Sequence, residues 1–310
     1  RVCYLIHKYS DIKVVGLCHQ LAAGYAMVAK ALASQYQLSG ANDFLSTHAD
    51  PSNDKPMAHM AAQGFEHFAI KAAGLNHFTW MLELTDRKTN EDLYPRFRQA
   101  WQELPQSFEP LSHRIFDAFG LFPIPGDEHL CEYLTWMSDP VEKPWQKFDI
   151  SLYDWAYFAR HRDVMWQQLK QDILAGAPSR DYTSVHSEGA IEIIEAILTD
   201  ANLAWEAVNI PNAGLIEGLP DDAIVEVPAV INHSGIHGQP IGSLPKGITA
   251  LLQREVVTSQ LCIDSVVKGD RNLALQSLLL DPTITDLDQA ERVLTQILTS
   301  QSNFLPQFFS

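Results

Sequence analysis

The most constraining feature of the sequence is an apolar run that ends in a thiol and an imidazole and leads directly into a helical pattern. The run IKVV predicts a short buried strand over residues 12–17, and apolar residues at helical spacing predict a helix over residues 19–34. Cys18 and His19 lie at the junction. A strand, a polar junction and a helix in this order are typical of the closing unit of a parallel sheet, where ligands bind at the strand ends. This segment therefore predicts an α/β fold with Cys18 and His19 as candidate functional residues.

The rest of the chain predicts a mixture of helices and antiparallel strands. Two extended segments within residues 66–84 meet at residues 74–76. Two further strands, over residues 203–212 and 222–232, are predicted to be antiparallel, and Pro228 indicates a sheet edge or a bulge. Helices are predicted over residues 2–10, 91–103, 110–120, 126–137, 152–174 and 187–200 and over most of the chain from residue 246, with a break at Asp281–Pro282 and Asp286 as a cap.

The composition excludes several classes of protein. The 310 residues are 46% hydrophobic, which is enough for one large domain or two, and no apolar run approaches the length of a membrane span. The formal net charge of −16 and the lack of a basic face argue against nucleic-acid binding. The four cysteines are far apart, which fits a reducing cytoplasm. The chain starts without Met in what resembles the tail of a helix, so we expect it to begin inside a larger protein.

Three clusters of residues could carry chemistry, and each also has a structural explanation. The first is Cys18–His19, although a lone cysteine after a strand is usually a buried apolar residue. The second is GLNHF, whose His77 could equally be a structural histidine. The third is PGDEHLCEY, which groups Asp127, Glu128, His129, Glu132 and Tyr133 within two helical turns, and whose Asp127 also suits a helix N-cap. Because Cys and His suit zinc, iron or manganese, the residues alone favour a soluble α/β protein with a candidate metal site.

Seven motifs occur in an order that resembles glycoside hydrolase family 4. They are VVGLCH, AAGLNHFTW, GDEHLCEYL, VNIPNAGLIEGLPDDAIVEVPAVI, GSLPKG, LLLDP and FLPQF, and the resemblance extends from Arg1 to Phe309. The CH pair resembles the branch that cleaves unphosphorylated α-glycosides, which includes α-glucosidases, α-galactosidases and α-galacturonidases. For the fold, the resemblance implies the end of a Rossmann-like doubly wound domain over residues 1–35. An α+β, lactate/malate-dehydrogenase-like C-terminal domain that binds metal and substrate would follow over residues 36–310.

The resemblance implies NAD-dependent hydrolysis of α-glycosidic bonds, which is exceptional among glycosidases. In the family's reaction NAD+ takes hydride from C3 of the sugar, the resulting ketone acidifies the C2 proton, and a base removes that proton. The glycosidic oxygen then leaves by elimination, water adds, and the bound NADH reduces the ketone. A divalent metal, typically Mn2+, polarises the carbonyl as a Lewis acid. The implied cofactors are NAD and Mn2+, and the implied partner is a small sugar substrate. The resemblance also implies a homodimer or homotetramer.

The resemblance also assigns roles to individual residues. Cys18 and His77 match the family's metal ligands, and Asn76 would hold the substrate. His19 occupies the position of the general acid that assists the departure of the leaving group, and the ordinary pKa of a histidine suits that task.

The third cluster supplies the implied base. Asp127 matches the residue that removes the C2 proton, and Tyr133 is an alternative, since some relatives use a tyrosine. This chain reads GDEH where many relatives read GDRH, so Glu128 replaces a cation. The replacement weighs slightly against a uronic-acid substrate, because a uronate would favour a cationic partner. The NHFTW and GDEH segments otherwise resemble the α-galacturonidase type most, and the EH–EY–TW spacing also resembles α-galactosidases, so the sugar stays open.

The residues for the cofactor are the main departure from the family. No GxGxxG or GxxxxGK[ST] motif occurs in the 310 residues, so NAD-binding residues are not assigned. Because the early strands and glycine-rich loop of the family's Rossmann domain are not in this sequence, we expect the chain by itself to bind NAD poorly and to be inactive. Two alternatives therefore stay open: a catalytically incompetent metal- or sugar-binding fragment and, more distantly, a 2-hydroxy-acid dehydrogenase.

Overall fold

The computed structural model describes residues 1–18, 20–47, 55–150, 155–176 and 188–309. In these residues the strands are β1 (Phe68–Leu75), β2 (Phe78–Asp86), β3 (Phe122–Pro123), β4 (Leu203–Pro211), β5 (Ile216–Glu217), β6 (Ile224–Asn232), β7 (Gly235–Gly238) and β8 (Gly242–Ser243). The α-helices are α1 (Val2–Tyr9), α2 (Leu21–Tyr36), α3 (Lys55–His67), α4 (Tyr94–Glu103), α5 (Pro110–Phe119), α6 (Asp127–Glu132), α7 (Trp155–Ala175), α8 (Ala190–Thr199), α9 (Lys246–Lys268), α10 (Arg271–Leu280) and α11 (Leu287–Ser300). Short 3-10 helices occupy Pro144–Phe148 and Pro306–Phe308.

The main sheet is antiparallel and has the strand order β3-β2-β1-β6-β4, with β7 paired to β6. β1 and β2 form a hairpin, as the two extended segments within residues 66–84 predict. β4 and β6 form a second antiparallel pair, also as predicted. The two pairs meet where Gly74 of β1 lies opposite Glu226 of β6. This junction brings the β1–β2 turn beside the start of β6.

Pro228 lies in β6, an inner strand, so of the two predicted explanations the structure shows the bulge and not the sheet edge. β4 pairs Trp205 with Ala229 and Val208 with Val227, so that two β4 residues lie opposite Pro228. Because proline has no N–H to give to the ladder, the extra residue in β4 accommodates it.

Two apolar cores lie on opposite faces of the sheet. Ala73 and Leu75 of β1 belong to the first core, which α6 and α9 cover. Phe68, Ile70 and Ala72 belong to the second core, which α2, α3 and α4 cover. Successive strand residues point to opposite faces, and β1 therefore supplies both cores. The helix predicted over residues 19–34 is α2, and the predicted domain boundary after residue 35 stays a prediction.

The predicted strand over residues 12–17 is wrong. In the described part of the chain, this segment pairs only through an isolated antiparallel bridge between Gly16 and Asn209. The apolar pattern predicts a buried strand, but residues 12–13 are exposed, residues 14–17 are only half-buried, and a strand also requires a continuous neighbour. The single bridge nevertheless fixes the end of the segment that leads to Cys18.

Several predicted helices differ in their bounds, and α4, for example, begins at Tyr94 where the pattern predicts residue 91. α6 ends at Glu132, although the pattern predicts a helix to residue 137. The Ser138 hydroxyl donates to the carbonyl oxygens of Cys131 and Leu134, at 2.9 and 3.0 Å. In a continued helix, these carbonyl oxygens would accept hydrogen bonds from main-chain N–H groups. The Ser138 hydroxyl therefore competes with the helix for the same acceptors. The predicted start of α7 at residue 152 lies outside the described residues.

The C-terminal helices follow the sequence closely. Asp281–Pro282 separates α10 from α11 as predicted, and the Asp286 side chain caps α11 by accepting from the Gln289 N–H at 2.7 Å. The antiparallel sheet with helices on both faces confirms the predicted α/β class and its α+β C-terminal part. Across the described ranges, no helix combines the length and the apolar character needed to cross a membrane.

Candidate functional site

An open cleft of about 480 Å³ lies where the β1–β2 turn, the start of β6 and α9 meet. Polar side chains contribute to its lining, among them Asn76, Tyr133, Asn209, Glu255 and Gln260. These residues come from four separate parts of the chain, and the sheet junction at Gly74 and Glu226 brings them together. A concave, partly polar surface of this size is the usual form of a small-molecule site.

Cys18 follows the segment that Gly16 attaches to β4. Gly16 and Asn209 exchange two main-chain hydrogen bonds, of 2.9 and 2.8 Å. The half-buried Cys18 thiol accepts a hydrogen bond from the Gln20 N–H at 3.3 Å. Burial and the nearby charge of Glu226 raise the pKa of the thiol to about 12. The thiol therefore stays protonated at neutral pH unless a bound cation displaces its proton.

The β1–β2 turn brings Asn76 and His77 to the same place as Cys18. The Asn76 side-chain amide lies close enough to the Cys18 thiol to oppose part of the rise in its pKa, and it donates from Nδ2 to Glu226 Oε2 at 3.4 Å. The His77 ring lies beside the His129 ring, with 4.9 Å between the centroids. The structure thus brings together three of the predicted site residues, which are distant in the sequence.

Tyr133 forms an aromatic wall of the cleft. Its ring stacks on Phe78, with 4.5 Å between centroids and 7° between planes. Its hydroxyl accepts a hydrogen bond from the main-chain N–H of His77, and burial raises its pKa. Arg254 of α9 donates to the Tyr133 carbonyl oxygen. These contacts hold the phenol next to the turn that carries Asn76.

Glu226 is a residue of this region that the sequence analysis does not predict. It lies on β6, is 2% exposed and accepts from Asn209 Nδ2 at 2.9 Å, in addition to its contact with Asn76. Burial raises its pKa to about 7. The signal that could have found it is the lone carboxylate within the apolar run IVEVPAVI, because a buried charge requires partners.

Asp127 lies outside the cleft lining, in a buried contact between two helices. The carboxylate is 3% exposed and accepts from the N–H groups of Leu111 and Ser112 at 2.6 and 2.7 Å and from the Ser112 hydroxyl at 2.7 Å. It therefore caps α5 and not α6, the helix that it begins. Burial and the charge of Glu109 raise the pKa of Asp127. Its role as the C2 base stays a prediction.

Glu109 makes the reciprocal contact. One oxygen accepts from the Asp127 N–H at 2.7 Å, and the other accepts from the Thr47 N–H and hydroxyl at 2.7 and 2.9 Å. Gly126 is required beside it, because a Cβ there would come within 1.5 Å of Thr47 Oγ1. We call the set Thr47, Glu109, Ser112 and Asp127 the α5–α6 clamp. The clamp fixes the start of α6, the helix that leads into Tyr133.

The donors present fit the implied metal. A thiolate from Cys18 and an imidazole from His77 suit a divalent transition metal, and both residues adjoin Asn76. Among the residues that the structure describes, no group of three His, Cys, Asp or Glu side chains is arranged to hold a metal ion. A metal held by two residues would keep positions for substrate oxygens and water. His19, the predicted general acid, lies outside the described residues.

Comparison with known proteins identifies the family. Residues 72–284 match the family model described as the family 4 glycosyl hydrolase C-terminal domain. The chain belongs to glycoside hydrolase family 4. Its fold is that of the family's C-terminal domain, the lactate/malate-dehydrogenase-like α+β structure that the seven motifs predict.

Two relatives of this family 4 chain are described as α-glycosidases. An α-glucosidase from Erwinia rhapontici is 24% identical over 322 residues, which cover 91% of this chain and 60% of the relative. An α-galacturonidase from Bacillus subtilis is 26% identical over 317 residues, which cover 96% of this chain and 64% of the relative. The chain thus spans less than two thirds of the length of either relative.

Solved structures share the fold. A Bacillus subtilis protein described as a glucosidase superposes with a TM-score of 0.75 at 24% identity, covering 96% of this chain and 65% of that one. A 6-phospho-α-glucosidase from gut microorganisms, solved in complex with NAD and Mn2+, gives a TM-score of 0.66 at 20% identity, with coverages of 96% and 63%.

Proposed function

We propose that this chain is the metal- and sugar-binding part of an NAD- and Mn2+-dependent α-glycosidase. The observation that carries the proposal is that Asn76 and Tyr133 line one cleft, where Asn76 adjoins Cys18 and Tyr133 adjoins His77. The α-glucosidase and α-galacturonidase relatives support the reaction class, and the structural neighbour solved with NAD and Mn2+ supports the cofactors. The proposed reaction is C3 oxidation of the sugar, C2 deprotonation and elimination of the leaving group.

Cys18 and His77 are the proposed metal ligands. A divalent metal supplies Lewis-acid polarisation of a sugar oxygen when it is bound. Cys18 would bind as the thiolate, and two donors support a negative sulfur, namely the Gln20 N–H and the Asn76 side-chain amide. The two protein ligands come from different elements, so their separation depends on how the sheet holds those elements.

Asn76 and Tyr133 are proposed to bind the sugar. The Asn76 Nδ2 group is directed at Glu226 and Cys18, which leaves Oδ1 to accept from a sugar hydroxyl. The Tyr133 ring, held against Phe78, offers a flat apolar surface on which a pyranose can pack.

Two residues are candidates for the base at C2. Asp127 is the residue that the family resemblance favours, but its carboxylate is committed to the start of α5. Tyr133 lines the cleft; the His77 N–H favours its phenolate form, but burial raises its pKa by more. We therefore propose that Tyr133 touches the substrate and that Asp127 acts through α6. His19 is proposed as the general acid on the sequence alone.

The proposed substrate is an unphosphorylated α-glucoside or α-galactoside, with an α-galacturonide less favoured. Glu128 occupies the position where many relatives carry a cation, and this preference rests on that family resemblance, since Glu128 lines a separate cavity of about 70 Å³ and not the cleft. A carboxylate there would repel the anionic group of a uronate or a sugar phosphate, whereas a neutral hydroxymethyl group can donate to it.

No NAD contact is proposed within this chain, because no GxGxxG motif occurs in its 310 residues. A homodimer or homotetramer in the cytoplasm remains the proposed state.

The test is turnover by the intact protein. It is assayed with 4-nitrophenyl α-glucoside, α-galactoside and α-galacturonide in the presence of NAD+, Mn2+ and a thiol reductant. We expect nitrophenol release from a gluco- or galactoside that requires both cofactors. Cys18→Ser should lower the rate by at least about 100-fold, whereas Cys262→Ser, a cysteine of α9 outside the cleft lining, should retain it. No turnover of any of the three glycosides would contradict the proposal.

A further inference from the structure

Asn209, which contributes to the cleft lining, and Glu226 behind it form a buried polar pair. They are cross-strand partners on β4 and β6 and are 5% and 2% exposed. Asn209 Nδ2 donates to Glu226 Oε2 at 2.9 Å, while the Asn209 main chain exchanges hydrogen bonds of 2.9 and 2.8 Å with Gly16. Asn209 therefore connects Glu226 to the segment that ends in Cys18.

The other side of Glu226 faces the β1–β2 turn. Glu226 lies opposite Gly74 of β1, and its Oε2 accepts from Asn76 Nδ2 at 3.4 Å. Gly74 also permits the tight β1–β2 turn, because a Cβ at its φ of 154° would lie 2.3 Å from the carbonyl oxygen of Phe78. A single carboxylate thus joins the Cys18 segment to the turn that carries Asn76 and His77. We call Asn209 and Glu226 the β4–β6 frame.

The chemistry of the groups sets the orientation of Asn76. An ionised carboxylate only accepts hydrogen bonds, so Asn76 must present its NH2 group to Glu226 and its carbonyl oxygen elsewhere. Both asparagines donate to the same oxygen, Oε2 of Glu226. A glutamine at position 226 could offer one oxygen there, but a neutral amide oxygen accepts more weakly than an ionised carboxylate, and its NH2 group would replace the second carboxylate oxygen.

We infer that Glu226 is a positioning residue of this site, which orients the Asn76 amide and holds the Cys18 segment and the Asn76–His77 turn at a fixed separation. The inference rests on the function proposed for the cleft. Glu226 does not line the cleft. It acts through Asn76, and its effect on chemistry should therefore be separable from its effect on stability.

The first test compares two buried carboxylates in the intact protein. Glu226→Gln keeps the volume of the side chain and removes the charge. Asp86→Asn is the matched control, because Asp86 is also buried and accepts from the Tyr36 hydroxyl at 2.6 Å and from the Lys88 and Thr89 N–H groups at 2.8 Å. Asp86 lies at the end of β2 that is far from the β1–β2 turn.

For Glu226→Gln we expect kcat/KM to fall by about 10- to 100-fold and the affinity for Mn2+ to weaken by a similar factor, as for other residues that orient metal and substrate ligands. Asp86→Asn should lower the melting temperature and leave both quantities unchanged. A Glu226→Gln protein that loses only melting temperature would overturn the inference.

The second test is a double-mutant cycle with Asn76→Ala. If Glu226 acts through Asn76, the variant carrying both changes should be no worse in kcat/KM than Asn76→Ala alone, to within about threefold. Effects that multiply would overturn the inference, because they would show that Glu226 acts independently of Asn76.

A crystal structure of the Glu226→Gln protein gives a readout that does not depend on turnover. We expect the Asn76 side chain to leave the position in which it contacts both residue 226 and Cys18. An unchanged Asn76 side chain would overturn the inference even if the wild-type protein is an active glycosidase. Conversely, a displaced Asn76 in a protein whose wild type shows no glycosidase activity would refute the proposed function and support the positioning role.

Discussion

Two buried carboxylate networks secure different parts of the same site, and they do so with different kinds of contact. In the α5–α6 clamp, Asp127 and Glu109 accept mainly from main-chain N–H groups at the starts of helices. In the β4–β6 frame, Glu226 accepts from the side-chain amides of Asn76 and Asn209. Main-chain contacts fix a whole helix, whereas side-chain contacts fix the orientation of one functional group. We therefore expect the clamp to serve stability and the frame to serve chemistry.

The comparison differs from the roles that the sequence analysis gives these residues. The pattern around Asp127 suits a helix N-cap, and the family resemblance assigns Asp127 to the C2 base. Glu226 stands inside an apolar strand and has the pattern of a structural residue. Their hydrogen-bond partners indicate the opposite, which shows that the partner of a buried carboxylate says more about its role than its sequence neighbours do.

The largest expected effect is the loss of stability when the clamp is broken. Asp127→Ala would leave the N–H groups of Leu111 and Ser112 without an acceptor in a buried helix start. The free energy of unfolding should fall by about 2–4 kcal/mol, as measured by urea denaturation. Asp127→Asn keeps one acceptor oxygen and should cost less. An Asn variant with wild-type stability and no turnover would contradict this division and would favour Asp127 as the base.

Metal binding should stabilise the folded protein through Cys18 and His77, the proposed ligands whose segments the β4–β6 frame joins. Mn2+ at about 100 times its dissociation constant should raise the free energy of unfolding by about 2.7 kcal/mol if it binds only the folded state. Thermal unfolding with and without Mn2+ measures the effect. Cys18→Ser should abolish it, and Ser112→Ala in the clamp should retain it. Equal Mn2+ stabilisation in wild type and Cys18→Ser would contradict the assignment of the ligands.

The pH dependence of stability should report on the frame. Burial raises the pKa of Glu226 from 4.5 to about 7, so the folded protein binds more protons than the unfolded chain between these values. The stability that this carboxyl contributes is present below about pH 4.5 and is lost as the pH rises through about 7. Glu226→Gln should lose less stability over this range, by on the order of 1–3 kcal/mol. Identical pH profiles for the two proteins would show that Glu226 does not titrate in this way.

The smallest expected effect comes from a single hydroxyl of the clamp. Ser112→Ala removes the 2.7 Å hydrogen bond from the hydroxyl to Asp127 and leaves the main-chain N–H in place. The free energy of unfolding should fall by about 1 kcal/mol, and kcat/KM should not change. A fall in kcat/KM at temperatures where the variant is fully folded would remove the distinction between clamp and frame.

Local features of the fold could be predicted from the sequence, because their causes lie within a few residues. Asp286 caps the helix that starts beside it, and the β1–β2 hairpin follows from two extended segments joined at a glycine. The prediction of a strand over residues 12–17 is wrong because the cause of a strand is not local. A strand depends on a partner elsewhere in the chain, and this segment pairs with β4 only at Gly16.

The candidate site was predictable only in part. The family motifs name Cys18, Asn76 and His77, and the structure brings these residues together. The roles of Asp127 and Glu226 depend on which elements lie beside them, namely α5 and the strands flanking β6. No pattern within either segment contains that information.

The most direct test of the proposed glycosidase is the fate of the C2 proton. The intact protein is allowed to hydrolyse an α-glucoside or α-galactoside in D2O with NAD+ and Mn2+, and the released sugar is analysed by NMR. We predict deuterium at C2 and retained hydrogen at C3, because a base removes the C2 proton whereas the same hydride leaves and returns at C3. Hydrolysis with the original hydrogen retained at C2 would contradict the account.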